Sequence, residues 1–495
     1  MKTKVLADVA SPCALQRYPN TRLYIGSHWR DGSERRTNLV RDPATGGVIG
    51  EVALADPSDL AEAVEAGKRG FVRWRSIPAV ERASALRAAA ALMRDRVDTI
   101  APLITREQGK PLSEARGEIL FSAEVIEWFA DEGRRAYGRV IPARGNDVSA
   151  IALTEPLGLI AGLTPWNYPV GQAVRKIAIA LAAGCSIIVK VAEETPASAA
   201  EMVRAFNDAG LPEGALQLVF GEPAMVSEYL LSHPDVRGVS FTGSTTVGKH
   251  LTALAGRHLK RCVMELGGHA PAIVFADADL DQAAASLAAD KFHNAGQACI
   301  SPTRLLVENS AHATFLDLFA EKARAVRVGN GLHEAITMGP LANARRLSTL
   351  RALVLDAVSR GARLVVGDPE RTQPGYFLDP VVLADVPTDA QIMNEEPFGP
   401  VAIVNRFSGA QEAIAEANRL PYALAAYGWS RDIRHIETMK REVRSGMLSI
   451  NHNGLGYPEV PFGGLLDSGF GDEGGTEALR EMTFSRFVSV RSPWS

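Results

Sequence analysis

The chain has 495 residues, 46% of them hydrophobic, and a formal net charge of −4. That length exceeds one ordinary core, so two or more domains are expected. No basic run is present, which argues against nucleic acid or an anionic membrane as partner. The four cysteines, Cys13, Cys185, Cys262 and Cys299, form no CxxC pair and stand at no metal-ligand spacing with histidine. No metal is therefore expected, and the thiols fit a reduced, cytoplasmic protein.

The opening Met1–Ala7 has no long apolar region, so no secretory signal is expected. Residues 20–50 alternate apolar and polar around Asp42-Pro43-Ala44-Thr45-Gly46-Gly47, a turn between strands. Asp56-Pro57-Ser58 opens a helical zone running to about 135. Ile151 to Leu163 alternates as a strand does. Ile177 to Val189 is the most apolar stretch, too short to cross a bilayer and ended by Lys190; it reads as a buried helix running into a buried strand. Strand and helix patterns then alternate: strand Ile187–Val189, helix Ala197–Ala209, strand Leu216–Val219, helix Ser227–Ser232, strand Val239–Phe241. A second such zone starts at Pro271–Phe275 and continues through strand Arg304–Val307, helix Ala311–Val326 and strand Ala362–Val366. This is the grammar of parallel sheets covered by helices, an α/β fold.

Chemistry concentrates in two places. Cys299 closes Phe292-His293-Asn294-Ala295-Gly296-Gln297-Ala298-Cys299, and Glu265 opens Glu265-Leu266-Gly267-Gly268. A soft nucleophile and an ionisable base suit attack on a carbonyl carbon followed by activation of water. A lone cysteine equally serves as a small buried hydrophobe. Phe241-Thr242-Gly243-Ser244 joins a strand to a helix and is a possible anion site, although GxGxxG and the Walker lysine pattern are absent. Lys190 and Glu193 follow a strand end, where a ribose is read in such folds. A solvated charged loop is the alternative.

Five blocks in order resemble the aldehyde dehydrogenase superfamily: Thr164-Pro165-Trp166-Asn167-Tyr168-Pro169, Phe241-Thr242-Gly243-Ser244, Glu265-Leu266-Gly267-Gly268, the Cys299 block, and Glu395-Glu396-Pro397-Phe398-Gly399-Pro400. Glu107-Gln108-Gly109-Lys110-Pro111, Glu127-Trp128-Phe129-Ala130 and Val174-Arg175-Lys176 are most similar to succinate-semialdehyde dehydrogenases and relatives. The resemblance implies two parallel-sheet α/β domains plus a β oligomerisation extension. The expected bounds are 1–136 with 157–263 for NAD binding, 264–463 for catalysis, and 137–156 with 478–495 for the extension, the segment near 137–156 pairing with Phe484 to Val490. It implies a homodimer or homotetramer.

It also implies NAD-dependent oxidation of an aldehyde to its acid. Cys299 is then the nucleophile, and Asn167 with the Cys299 backbone N–H the oxyanion hole. Glu265 is the base that hydrolyses the thioester, and Glu473 a proton relay. Thr164, Trp166, Lys190, Glu193, Gly243, Ser244, Leu266, Glu396 and Phe398 match cofactor contacts. Arg175, His293, Tyr168, Tyr457 and Phe462 match the substrate tunnel. Of the two arginines and the serine that hold a substrate carboxylate in that group, Arg175 keeps the first. His293 replaces the second, and Tyr457 stands near the serine. Succinate semialdehyde or a similar semialdehyde is the expected substrate, with an aromatic or broad-specificity enzyme as the alternative. Two departures stand out: Val191 for the usual proline and His269 for the usual lysine. Within enzymes, a CoA-acylating dehydrogenase would need no Glu265. A non-catalytic structural or binding member of the fold would be free to lose Cys299, Asn167 or Glu265, and all three are present.

Overall fold

The computed structural model describes residues 17–492; Cys13, the opening Met1–Ala7 and the last residues of the expected extension lie outside them. The helical zone begins as its sequence dictates. Asp56 caps helix Pro57–Ser76 in a reciprocal capping box with Asp59, and Pro57 occupies the first turn, where its missing N–H is harmless. Helices Ala79–Asp95, Val97–Gln108 and Leu112–Glu132 follow.

Two mixed sheets carry the molecule. The first has the spatial order His28–Arg30, Leu23–Ile25, Leu216–Val219, Ser186–Lys190, Leu159–Leu163, Val236–Thr242, Arg261–Glu265, Gly469–Phe470. Its five central strands are parallel and its edges antiparallel. Strands Ser186–Lys190 and Leu159–Leu163 are buried at every position, as expected for a sheet covered on both faces. The second sheet runs Arg363–Val366, Val381–Ala384, Val401–Phe407, Arg304–Glu308, Pro271–Val274, Ala425–Trp429, Met447–Ile450. All its pairs are parallel except the first.

The run Ile151 to Leu163 is a correction. It is not one strand but two in different sheets: Val148–Pro156 pairs with Thr483–Arg491, and Leu159–Leu163 enters the first large sheet. Gly158 between them has φ +134, a conformation that redirects the chain and that side-chain-bearing residues avoid. Alternation alone carries no signal for a change of sheet. Phe484 pairs with Glu155 and Val490 with Ser149, and strand Arg139–Ile141 completes this small sheet.

In the first sheet the chain proceeds from Leu159–Leu163 to Ser186–Lys190 on one side, and later places Val236–Thr242 on the other. The order therefore reverses between Leu159–Leu163 and Val236–Thr242. A crevice opens at such a reversal, outside the C-terminal strand ends. Thr164–Tyr168 and Gly243–Ser244 follow those two ends directly.

Candidate active site

Glu265 ends strand Arg261–Glu265, in register with Thr242 of the neighbouring strand. Its carboxylate is buried and neither oxygen has a hydrogen-bond partner. Burial first, and the Glu473 charge second, push it up to about 7. The Cys299 thiol lies within its field. Burial and the Glu265 carboxylate raise that thiol well above its usual range, so it rests protonated.

Cys299 is delivered by an unusual backbone. Asn294, Ala295 and Gly296 are consecutively left-handed, with φ of 49°, 52° and 68°. Each non-glycine residue in that region costs on the order of 1–3 kcal/mol and persists only where its surroundings over-determine it. Here they do. Gln108 Nε2 donates to Asn294 Oδ1 at 2.8 Å, Glu114 Oε2 accepts from the Asn294 N–H at 2.8 Å, and Gln297 Oε1 accepts from the Ala342 N–H at 3.0 Å.

Asn167 is buried, and its Nδ2 donates to the Gln297 carbonyl at 3.0 Å. One of its two N–H groups is so used, and its Oδ1 has no partner. The side chain thus spans from the first sheet to the Cys299 loop.

Arg175, on helix Gly171–Ala183, is buried. It donates to the Glu473 carbonyl at 3.0 Å and the Gly456 carbonyl at 2.7 Å, and it stacks on Phe462 at 4.7 Å. No carboxylate side chain pairs with it among the described residues, and burial lowers its pKa. The Gly456 bond brings the Tyr457 loop to it; Tyr457 itself is exposed and Phe462 buried.

His293 Nδ1 lies 3.1 Å from the Tyr168 hydroxyl, and its Nε2 3.8 Å from Glu114 Oε2. Nearly half of the ring is exposed, at 46%; partial desolvation and the Lys110 ammonium bring its pKa down to about 4. It is therefore neutral at pH 7 and is no substitute for a second arginine's charge.

Glu473 is buried, its Oε1 paired with Lys176 and accepting from Ser240 at 2.8 Å. Lys176 Nζ also donates to Thr242 Oγ1 at 2.7 Å. Sequence reasoning missed Lys176, which stands beside Arg175 and reads as a surface charge although it is fully buried.

On the cofactor side, Ser244 caps helix Thr245–Arg257 directly after Gly243. Lys190 pairs with Glu193 Oε2 at 2.8 Å, and Glu193 Oε1 accepts from the Gly221 N–H at 2.9 Å. Val191, where a proline was expected, is fully buried. Trp166 meets Phe398 edge-on at 5.7 Å. Leu266 is buried beneath Gly248, where a Cβ would meet its Cδ2 at 2.2 Å. Burial raises Glu396 to about 8. His269 is buried and neutral, its pKa lowered chiefly by burial. Its Nε2 sits 2.9 Å from the Ile392 carbonyl, tying the double-glycine turn to the segment that leads to Glu396.

A half-buried thiol and a carboxylate without a hydrogen-bond partner, brought together from two sheets beside a strand-end crevice, make a site for covalent oxidation at a carbonyl. The chain belongs to the aldehyde dehydrogenase family, whose model matches residues 29–488. It is 45% identical over 472 residues to the 4-(hydroxymethyl)benzenesulfonate dehydrogenase TsaD1 of Comamonas testosteroni, covering 95% of this chain and 98% of that one. It is 37% identical to GabD, the succinate-semialdehyde dehydrogenase (NADP(+)) of Escherichia coli (strain K12), covering 94% and 97%. A solved NAD-dependent aldehyde dehydrogenase from Sinorhizobium meliloti superposes with a TM-score of 0.95 at 32% identity, covering 99% and 98%. The protein is an oxidoreductase that oxidises an aldehyde with NAD.

The residues present fit that cofactor. A Cβ on Gly267 would meet Glu396 Oε2 at 2.7 Å, so the carboxylate rests against bare backbone. Thr164 Oγ1 is buried without a partner at the crevice. The N-terminus of helix Thr245–Arg257 adds a positive dipole end for pyrophosphate.

Proposed function

We propose that the chain oxidises an aldehyde bearing an anionic group at its far end, succinate semialdehyde or a similar semialdehyde, through a thioester on Cys299. The observation that carries this is Cys299 beside the buried Glu265, with the Arg175 guanidinium, which no carboxylate side chain pairs, close enough to Glu265 to feel its charge.

Cys299 Sγ adds to the carbonyl carbon, and since the resting thiol is protonated its proton passes to solvent water as the bond forms. The free Asn167 N–H and the Cys299 backbone N–H hold the oxygen where charge develops, worth about 3 kcal/mol for one such donor. Bound NAD would supply the acceptor for the hydride that leaves the carbonyl carbon. Glu265 then takes a proton from water, which attacks the thioester and frees the acid and the thiol. Glu473 and its Lys176 pair pass that proton onward. Lys190 and Glu193 would hold the adenosine ribose, Gly243 and Ser244 the pyrophosphate, and Glu396 the nicotinamide ribose. Thr164, Trp166, Leu266 and Phe398 wall the nicotinamide end. Residues 1–136 with 157–263 serve as the cofactor unit and 264–463 as the catalytic unit.

Arg175 uses two of its five N–H groups on backbone carbonyls, which leaves donors for a carboxylate or sulfonate. Tyr168, Phe462 and the Tyr457 loop line the same approach, and His293 adds a neutral hydrogen-bonding group. These aromatic walls favour a second reading, an aromatic aldehyde with an anionic tail, and the Comamonas relative is named for a benzenesulfonate. The protein acts as a homodimer or homotetramer through 137–156 and 478–495. It works in the cytoplasm, in keeping with the free thiols Cys185, Cys262 and Cys299.

The test is NADH formation with succinate semialdehyde, butyraldehyde, benzaldehyde and 4-sulfobenzaldehyde, each with and without CoA. Succinate semialdehyde should exceed butyraldehyde clearly in kcat/KM, without need of CoA, and Arg175→Leu should erase the gap by raising KM. A better rate with butyraldehyde or benzaldehyde overturns the anionic-tail reading. A CoA requirement overturns the hydrolytic one.

A further inference from the structure

Lys110 follows Gly109, whose φ of +105 ends helix Val97–Gln108. A Cβ at Gly109 would meet Pro340 Cγ at 2.9 Å, so the turn both requires glycine and fixes where the next side chain goes. That side chain goes inward and is fully buried. Its Nζ lies 2.6 Å from Glu118 Oε2, 2.9 Å from the Asn167 carbonyl oxygen and 3.8 Å above the Tyr168 ring.

Glu118 completes the arrangement. Its other oxygen accepts the Val170 and Gly171 N–H groups at 2.9 and 3.0 Å, at the start of the helix that carries Arg175. The Asn167 carbonyl also accepts Asn294 Nδ2 at 2.8 Å, so both its lone pairs are occupied. Asn294 in turn is held by Gln108, whose Oε1 accepts the Lys110 N–H at 2.9 Å. One buried circuit therefore fixes the peptide plane of Asn167 and the left-handed turn before Cys299. A buried ion pair is a poor device for stability, since apolar residues of similar volume commonly do as well. Its placement on the backbone of Asn167, whose amide donates to the Gln297 carbonyl in the Cys299 loop, calls for another account.

We propose that Lys110, clamped by Glu118, is a positioning residue that aims the Asn167 amide at the developing oxyanion. The ammonium touches no substrate. It sets the carbonyl of Asn167, and through that plane the direction in which Nδ2 leaves the backbone. This rests on the reading of Asn167 as an oxyanion donor.

The test is a double-mutant cycle on the full-length protein, read as the rate of the NADH burst with NAD and succinate semialdehyde. Lys110→Met alone strands a buried carboxylate. The pair variant Lys110→Met/Glu118→Gln removes both charges and leaves an amide oxygen for Val170 and Gly171. It should slow the burst about 10- to 100-fold, the usual consequence of misaiming by an ångström, with the NAD dissociation constant and aldehyde KM within about twofold of the parent. Glu118→Gln alone should move the rate in the same direction. Introduced into Asn167→Ala, the pair change should cause almost no further loss, because the group it aims is gone. An equal loss in both backgrounds assigns Lys110 a general structural role and overturns the proposal, as does a parent-like burst in the pair variant. An Asn167→Ala enzyme with the parent burst rate instead overturns the oxyanion reading itself.

Discussion

Glu265 is a carboxylate whose burial outweighs the help its charge receives from Cys299, Lys176 and Arg175, and two consequences follow. The ionised form is needed to take a proton from water, and with the group raised to about 7 that form is lost as pH falls through 7. The hydrolytic step should therefore speed up as pH rises through that region, which the steady-state rate reports when acyl transfer limits turnover. The same shift acts on stability. The folded-state pKa lies above the ordinary value near 4.3, so ionised Glu265 opposes folding. That penalty is absent below the unfolded value, grows between the two, and is complete above about 7. Glu265→Gln should accordingly melt higher than the parent at pH 8, with the gap closing toward pH 4.5. Equal Tm differences at both pH values would mean that the carboxylate does not titrate where burial places it. At this scale the sequence was most informative where a residue type is rare, as with Cys299. Lys110 and Lys176 were silent, because a buried lysine looks like a surface one until its partner is seen. The partners, Glu118 and Glu473, lie at no helical spacing that a pattern could register.

At the level of elements, the alternating strands and helices after residue 186 were plain because hydrophobic period and turn residues agree there. Ile151 to Leu163 was not, since the passage from one sheet to another leaves alternation intact on both sides of Gly158. The end of strand Ser186–Lys190 carries the cofactor prediction. Glu193 is tethered at both oxygens, to Lys190 and to the Gly221 N–H, and so is poorly free to swing away from a 2′-phosphate. Like charges in contact there cost on the order of 1–2 kcal/mol even with screening. NAD should be preferred over NADP, and Glu193→Ser should narrow the ratio of kcat/KM values by about tenfold. Equal efficiency with both cofactors in the parent would show that Glu193 does not read the ribose. Val191, lacking proline's fixed φ, is held by burial instead.

Across the whole molecule, two sheets contribute one group each to a shared centre. Glu265 comes from the end of a strand in the first, and Cys299 from the loop before strand Arg304–Glu308 of the second. The third sheet stands apart, with Val140, Phe484, Phe487 and Val490 exposed. Such apolar exposure on one small sheet suits burial by another copy. Phe487→Asp should lower the mass measured by light scattering, and a monomeric parent would contradict the oligomer outright. The central claim is a thioester on Cys299 cleared by Glu265, and it is tested most directly in Glu265→Gln mixed rapidly with NAD and succinate semialdehyde. The account predicts a burst of NADH near one per active site, then a slow phase, with the acyl group trapped on Cys299 after acid quench. Cys299→Ala should give no burst while still binding NAD. Loss of the burst in Glu265→Gln would contradict the account and assign Glu265 to deprotonating the thiol instead.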